Sequence, residues 1–136
     1  MSTGIPFNAV LGIVLEQLSK GHAVLRIPFR DELIGDPFRP AIHGGVISAL
    51  VDTAGGAAMF SVVNLTDRCS TVDFRVDFLR PAGKADLIAT ADVVRVGNRM
   101  GVTRVTVMGC DPPVQVAEGT CVYNVRRGSP SDNPVG

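Results

Sequence analysis

A long apolar segment in the first half of the chain constrains the fold more than any other feature. Residues 46–65 carry a single charged side chain, the carboxylate of Asp52. A helix that is apolar on nearly every face must be covered on several sides. Inside a membrane, Asp52 would cost about 2.5–3.5 kcal/mol, and Gly55 and Gly56 weaken the hydropathy further. The segment therefore predicts a buried helix of a soluble domain rather than a membrane span.

Alternating apolar and polar residues on both sides of this segment predict β-strands. The strands are predicted over residues 9–19, 22–30, 71–80, 86–96, 101–109 and 114–125. The first two are expected to pair across the turn at Lys20–Gly21, and turn-rich sequences separate the last four. Strands, one long helix and then more strands predict an α+β domain, in which a curved antiparallel sheet wraps around the central helix.

Residues 71–80 show the alternation most clearly. Val72, Phe74, Val76 and Phe78 are predicted to share one face of this strand, while the polar residues between them face water.

A chain of 136 residues fits one domain. We predict that residues 1–127 form this domain and that residues 128–136, which lack apolar periodicity, form a disordered tail. A sheet of this size can cover only part of an apolar helix. The uncovered face predicts contact with a second subunit, so a homo-oligomer is expected.

The composition argues against several classes of function. Thirteen basic residues balance thirteen acidic ones, so no charge surplus favours nucleic acid or an anionic membrane as a partner. Two histidines and three scattered cysteines form no metal-ligand or disulfide pattern, which favours a reducing compartment. The N-terminal sequence lacks the pattern of a signal peptide. These features predict a cytoplasmic protein without a metal.

The start of the long helix offers a candidate site. His43 is followed by Gly44 and Gly45, and the prolines in the preceding loop discourage an earlier helix start. Glycines at a helix N-terminus leave backbone N–H groups open to a ligand, with the positive end of the helix dipole behind them. Asp52 follows about two turns later, roughly 10–12 Å along the axis. Asp52 and Gly44 of one chain are therefore too far apart to act on the same substrate atom, but Asp52 of one subunit could face Gly44 of a second subunit.

Two linked motifs carry a resemblance to a known family. The sequence HGGVISALVDTAGGAA, followed by TVDFRVDFLRPA, resembles the hotdog-fold acyl-CoA thioesterases, in particular the branch of the phenylacetate-degradation thioesterase. The similarity spans residues 8–126. It implies a hotdog fold, two subunits joined edge to edge into one continuous sheet, dimers that commonly pair into tetramers, and an active site at the subunit interface.

The resemblance also implies roles for individual residues. Gly44 would polarise the thioester carbonyl through its N–H, and Asp52 would act as a general base on water or as a nucleophile. Thr71 would assist the attacking water. Coenzyme A would be part of the substrate, so no separate cofactor is expected.

Other positions leave more than one interpretation open. His43 holds the helix entry or takes part directly in chemistry, and Gly45 is a candidate substrate contact. The family commonly has Asn or Gln six residues before this histidine, where this chain has Pro37. The neighbouring Asp36 contacts substrate or caps a turn. The candidates for binding the phosphates of coenzyme A are Arg95 and Arg99.

Hydrolysis of acyl-CoA thioesters is the leading interpretation, and it is what the resemblance implies. Because a thiolate leaves readily, one carboxylate and one oxyanion donor can suffice. No Ser-His-Asp set is needed, and the sequence contains no G-x-S-x-G nucleophile elbow. A hotdog hydratase or dehydratase acting on the same thioesters is one alternative. A non-catalytic acyl-CoA-binding module is another. A histidine directly before Gly-Gly favours the thioesterase.

Overall fold

The computed structural model describes residues 4–128. Its α-helices are α1 (Pro6–Leu11) and α2 (Gly44–Phe60), and a short 3₁₀ turn spans Asp31–Leu33. Its strands are β1 (Val14–Ser19), β2 (His22–Ile27), β3 (Ile34–Asp36), β4 (Ala41–Ile42), β5 (Arg68–Phe78), β6 (Leu87–Val96), β7 (Met100–Gly109) and β8 (Val114–Arg126).

One antiparallel sheet and the helix α2 form the body of the molecule. The strand order in this sheet is β1-β2-β6-β7-β8-β5, while β3 and β4 pair separately just before α2. The helix packs against one face of the six-stranded sheet. The predicted α+β arrangement, a curved sheet around one long helix, is confirmed.

The helix α2 buries one side and leaves the other open. Its buried residues are Val46, Ile47, Leu50, Val51, Ala54, Gly55, Ala58 and Met59, which recur at helical spacing. The opposite side carries Asp52, Gly56 and Phe60, none of which is fully buried. One sheet therefore covers half of the helix.

The first predicted strand is wrong over residues 9–11, which belong to α1. Pro6 stands at the start of α1, where its fixed φ suits a helix, and Gly12 ends the helix with a left-handed φ of 76°. Strand β1 therefore begins only at Val14. The remaining hairpin is as expected, because β1 pairs with β2 across Lys20–Gly21.

Strand β5 differs from its predicted alternation at one point. Thr71 pairs with Tyr123 and Asp73 pairs with Val122, so Val72 between them is a β-bulge. A bulge shifts every residue on one side of it to the other face of the strand. Thr71, predicted to face water beside Asp73, instead faces α2.

Strand β5 lies at the edge of the sheet and is mostly exposed. Its paired neighbour is β8, and no strand within residues 4–128 borders its other edge. Val72 is 58% exposed and Phe78 55% exposed. The apolar residues of β5 are therefore only partly covered in a single chain.

The C-terminal part of the described chain is held against a loop. Gly128, the first residue of the predicted tail, donates its N–H to Asp67 Oδ1 at 3.0 Å. Residues 129–136 of that tail lie outside the described residues. The three cysteines Cys69, Cys110 and Cys121 are free thiols. Across residues 4–128, no helix is long and apolar enough to span a membrane, and no cluster of side chains could hold a metal ion.

Candidate active site

The start of α2 is capped by a side chain. His43 is the N-cap residue, and its Nδ1 accepts a hydrogen bond from Gly45 N–H at 2.7 Å. As an acceptor, Nδ1 carries no proton in this arrangement. This hydrogen bond is the contact expected of a ring that holds the helix entry, and a direct part of His43 in the chemistry stays a prediction. The Gly45 N–H is engaged by this cap and does not face an open site.

The N–H of Gly44 is the open donor at this helix end. It makes no hydrogen bond within residues 4–128, and the first N–H groups of a helix have no partner inside the helix. Gly44 lines a cleft of about 360 Å³ together with Phe78 and Arg80. A Cβ at position 44 would lie 3.4 Å from the Phe78 ring. The absence of a side chain here leaves room for a ligand to reach the N–H.

Asp52 and Thr71 meet on the open side of α2. Thr71 Oγ1 donates a hydrogen bond to Asp52 Oδ1 over 2.8 Å. No other hydrogen bond to this carboxylate is formed by the described part of the chain. Asp52 Oδ2 is therefore free to accept a proton or to attack, while Thr71 fixes the orientation of the group. The structure brings together these two residues that the sequence predicted.

Tyr123 is a site residue that the sequence reasoning missed. Its hydroxyl donates a hydrogen bond to the backbone carbonyl of Asp52 at 2.8 Å. Burial raises the pKa of Tyr123 far above its ordinary value, so the phenol remains a donor at neutral pH. The available signal was that Tyr123 is the single tyrosine of the chain. A buried tyrosine usually needs a partner for its hydroxyl.

A large groove runs beside the carboxylate. Its volume is about 680 Å³, and residues from α1, β1, α2, β5 and β8 line it: Ile5, Phe7, Asn8, Leu15, Leu18, Asp52, Thr53, Gly56, Ala57, Phe60, Cys69, Thr71 and Tyr123. Asp52 is the one charged residue among them. The size falls within the range typical of small-molecule sites.

Gly44 does not line this groove, and Asp52 does not line the cleft at Gly44. The eight residues between them correspond to about 12 Å of helix. Within one chain the carboxylate and the open N–H therefore belong to different cavities.

Asp36 caps a turn. Its Oδ1 accepts hydrogen bonds from the N–H groups of Phe38 at 3.0 Å and Arg39 at 3.2 Å. Such a turn is a common use of aspartate in loops. These bonds are the contacts expected of a turn cap, and a contact of Asp36 with substrate stays a prediction.

The two arginines predicted to meet coenzyme A, Arg95 and Arg99, do not line a common pocket. Arg99 lines a shallow pocket with Arg126 and Arg127, and Arg68 shares a second pocket with the same two residues. Arg68 and Arg126 are direct partners across β5 and β8, an arrangement of like charges that costs stability. Arg95 lines neither pocket. We call Arg68, Arg99, Arg126 and Arg127 the arginine cluster. An anion bound there would relieve the repulsion between Arg68 and Arg126.

Known proteins resemble this chain in sequence and in architecture. Residues 40–113 match the thioesterase superfamily. The chain is 33% identical over 134 residues to the medium/long-chain acyl-CoA thioesterase YigI of Salmonella typhimurium, covering 89% of this chain and 86% of that protein. The chain belongs to the thioesterase superfamily.

The structural comparison agrees with the sequence comparison. A crystal structure of a thioesterase family protein from Silicibacter pomeroyi superimposes with a TM-score of 0.85 at 28% identity, covering 91% of each chain. The hotdog fold predicted from the two motifs is confirmed, and the protein is a thioesterase. Its assignment to the phenylacetate-degradation branch of the superfamily stays a prediction.

Proposed function

We propose that the protein hydrolyses acyl-CoA thioesters to a carboxylic acid and coenzyme A. The hydrogen bond from Thr71 to Asp52 at the wall of an apolar groove carries this proposal. It places an oriented carboxylate where the carbonyl end of an acyl group can lie. The name of the Salmonella typhimurium relative, an acyl-CoA thioesterase, supports the choice of substrate.

The reaction needs one base and one oxyanion donor. Asp52 takes a proton from water as the water oxygen attacks the thioester carbonyl. The negative charge that develops on the carbonyl oxygen accepts a hydrogen bond from Gly44 N–H. The C–S bond then breaks, and the coenzyme A thiolate leaves and takes up the proton. If Asp52 itself attacks, the resulting acyl anhydride is hydrolysed by water, and the same carboxylate is required.

The two halves of the site come from two subunits in this proposal. Asp52 and Gly44 open into separate cavities of one chain. Strand β5 exposes Val72, Phe74 and Phe78, and its outer edge has no partner strand within residues 4–128. Pairing of β5 with its copy around a two-fold axis would satisfy that edge. It would also bring Asp52 toward Gly44 of the partner subunit. The minimal enzyme is then a homodimer, and we expect two dimers to form a cytoplasmic tetramer.

The arginine cluster supports recognition of coenzyme A. Arg68 lies three residues before Thr71 on β5, about 10 Å along the strand. Arg99 and Arg126 line the neighbouring pocket. Guanidinium groups bind phosphate through paired hydrogen bonds. In this proposal the cluster attracts the phosphates of coenzyme A while the thioester reaches Asp52, and a contact from Arg95 to these phosphates stays a prediction.

Replacing Asp52 with Asn tests the proposed function. The change preserves the shape of the side chain but removes the base, so kcat should fall by about 10²–10⁴ in an assay of free thiol release from acyl-CoA. Asp73→Asn is the matched control, because Asp73 is an exposed carboxylate on the opposite face of β5. Equal turnover by Asp52→Asn and wild type would contradict the proposal. A hydratase would instead change the acyl chain without releasing thiol.

A further inference from the structure

We propose that the 680 Å³ groove beside Asp52 holds a straight, unbranched acyl chain, and that Gly56 keeps it open while Phe60 limits its length. This inference rests on the proposed function, since it assigns the acyl half of the same substrate. It also assigns Gly56 and Phe60 as the residues that select one thioester over another.

One row of α2 residues forms the floor of the groove. Asp52, Gly56 and Phe60 are spaced four residues apart, so they lie above one another along one side of the helix. All three line the groove. The row runs from the carboxylate, past a position without a side chain, to an aromatic ring about 12 Å away. A chain that starts at the reacting carbonyl has an open path of two helical turns.

The walls of the groove suit a hydrocarbon. Apart from Asp52, no charged residue lines it, and its walls include Ile5 and Phe7 near α1 and Leu15 and Leu18 on β1. Phe7 is 57% exposed. Large apolar side chains grouped around a cavity favour an apolar occupant. The row of α2 residues that lines the groove extends for about 12 Å along the helix, which favours a straight chain over a compact aromatic acyl group.

Two adjacent glycines of α2 have different surroundings. A Cβ at Gly55 would lie 2.5 Å from Thr103 Oγ1 and 2.6 Å from Tyr123 Oη, so Gly55 allows close packing of helix on sheet. A Cβ at Gly56 would meet Tyr123 at 3.8 Å, an ordinary contact. Packing alone therefore does not require glycine at position 56. The space that this glycine leaves belongs to the groove.

The far end of the groove is held in place. Gly21 N–H, in the turn between β1 and β2, donates a hydrogen bond to Ser61 Oγ at 2.7 Å. This bond ties the end of β1, where Leu18 lies, to the end of α2, where Phe60 lies. Both side chains line the groove. The bond thus holds the backbone segments that carry these two side chains close together at this end of the groove.

The test compares substrates of increasing chain length on two opposing variants. Butanoyl-, octanoyl-, dodecanoyl- and phenylacetyl-CoA are hydrolysed by wild type, Gly56→Leu and Phe60→Ala, and kcat/KM is measured for each. In Gly56→Leu, the dodecanoyl-to-butanoyl ratio of kcat/KM should fall by about 10- to 100-fold. In Phe60→Ala, the same ratio should rise. Thr120→Leu, on the opposite face of the sheet, controls for the addition of an apolar side chain.

A binding measurement separates this inference from the proposed function. In the Asp52→Asn background, affinity for acyl-CoA should increase by about fourfold per buried methylene, and Gly56→Leu should abolish that increase. Absence of thiol release by the wild-type protein from every substrate, with this length-dependent binding retained, would overturn the hydrolysis and leave the groove assignment intact. A dodecanoyl-to-butanoyl ratio unchanged in both variants would overturn the groove assignment. Affinity for acyl-CoA that does not depend on acyl-chain length would also overturn it, because it would indicate that a second copy of the chain fills the groove.

Discussion

Asp52 is a carboxylate in an apolar helix because the side of α2 that carries it is not part of the core. Its Oδ1 accepts one hydrogen bond, from Thr71, and its backbone carbonyl accepts another, from Tyr123. These bonds fix the helix turn and the carboxylate while leaving one carboxylate oxygen available. A charge that is oriented but not fully paired is what a base or nucleophile requires.

Thr71 is a positioning residue in this arrangement, and its hydroxyl can be removed with little change of shape. Thr71→Val should lower kcat by about 10- to 100-fold, the range expected for a hydrogen bond to a charged group. KM should change little, because the bond orients Asp52 rather than the substrate. Steady-state kinetics on acyl-CoA measure both constants. Thr71→Ser should restore most of the rate, and a valine variant with wild-type kcat would assign Thr71 a merely structural role.

At the scale of elements, the helix α2 and most of the sheet follow from local sequence. Three sequence features predict where α2 begins and that a sheet covers it: the histidine before the helix, the two glycines after this histidine, and the apolar run. The bulge at Val72 could not be predicted, because it depends on the register between β5 and β8. That bulge turns Thr71 toward Asp52. The bond from Tyr123 likewise depends on how helix and sheet dock, which alternation along one strand does not encode.

The two glycines of α2 give a prediction for the stability of this element. Gly55→Ala should lower the free energy of unfolding by about 1–3 kcal/mol, because its Cβ would overlap the buried oxygens of Thr103 and Tyr123. Gly56→Ala should raise it by up to about 1 kcal/mol, because alanine favours the helix and its Cβ has room. Urea denaturation at one fixed protein concentration measures both changes. Equal destabilisation by the two substitutions would show that Gly56 also packs tightly.

At the scale of the whole molecule, a single chain leaves two surfaces unfinished. One edge of β5 has no partner strand within residues 4–128, and Val72, Phe74 and Phe78 on that strand are all exposed. The open side of α2 carries the groove and Asp52. Long apolar strand edges are usually covered in proteins that remain in solution. A two-fold pair of subunits would cover the edge and complete the site with the same contact.

Mixing two inactive variants tests whether the site is shared between subunits. Gly44→Pro removes the proposed oxyanion donor, and proline is well accepted at the first position of a helix. The backbone of His43, at φ −58° and ψ 133°, already suits a residue that precedes proline. Gly44→Pro alone should lower kcat by about 10²–10³, and Asp52→Asn alone should also be nearly inactive.

In a mixed dimer of these two variants, the intact Asp52 of one chain would face the intact Gly44 of the other. Random pairing of equal amounts makes half of the dimers mixed, each with one working site, so activity should return to about a quarter of wild type. The two proteins are refolded together, and thiol release is measured per subunit. Each variant refolded alone serves as the control. If Asp52 and Gly44 acted within one chain, no mixed dimer would contain a working pair, and the mixture would remain as inactive as its components.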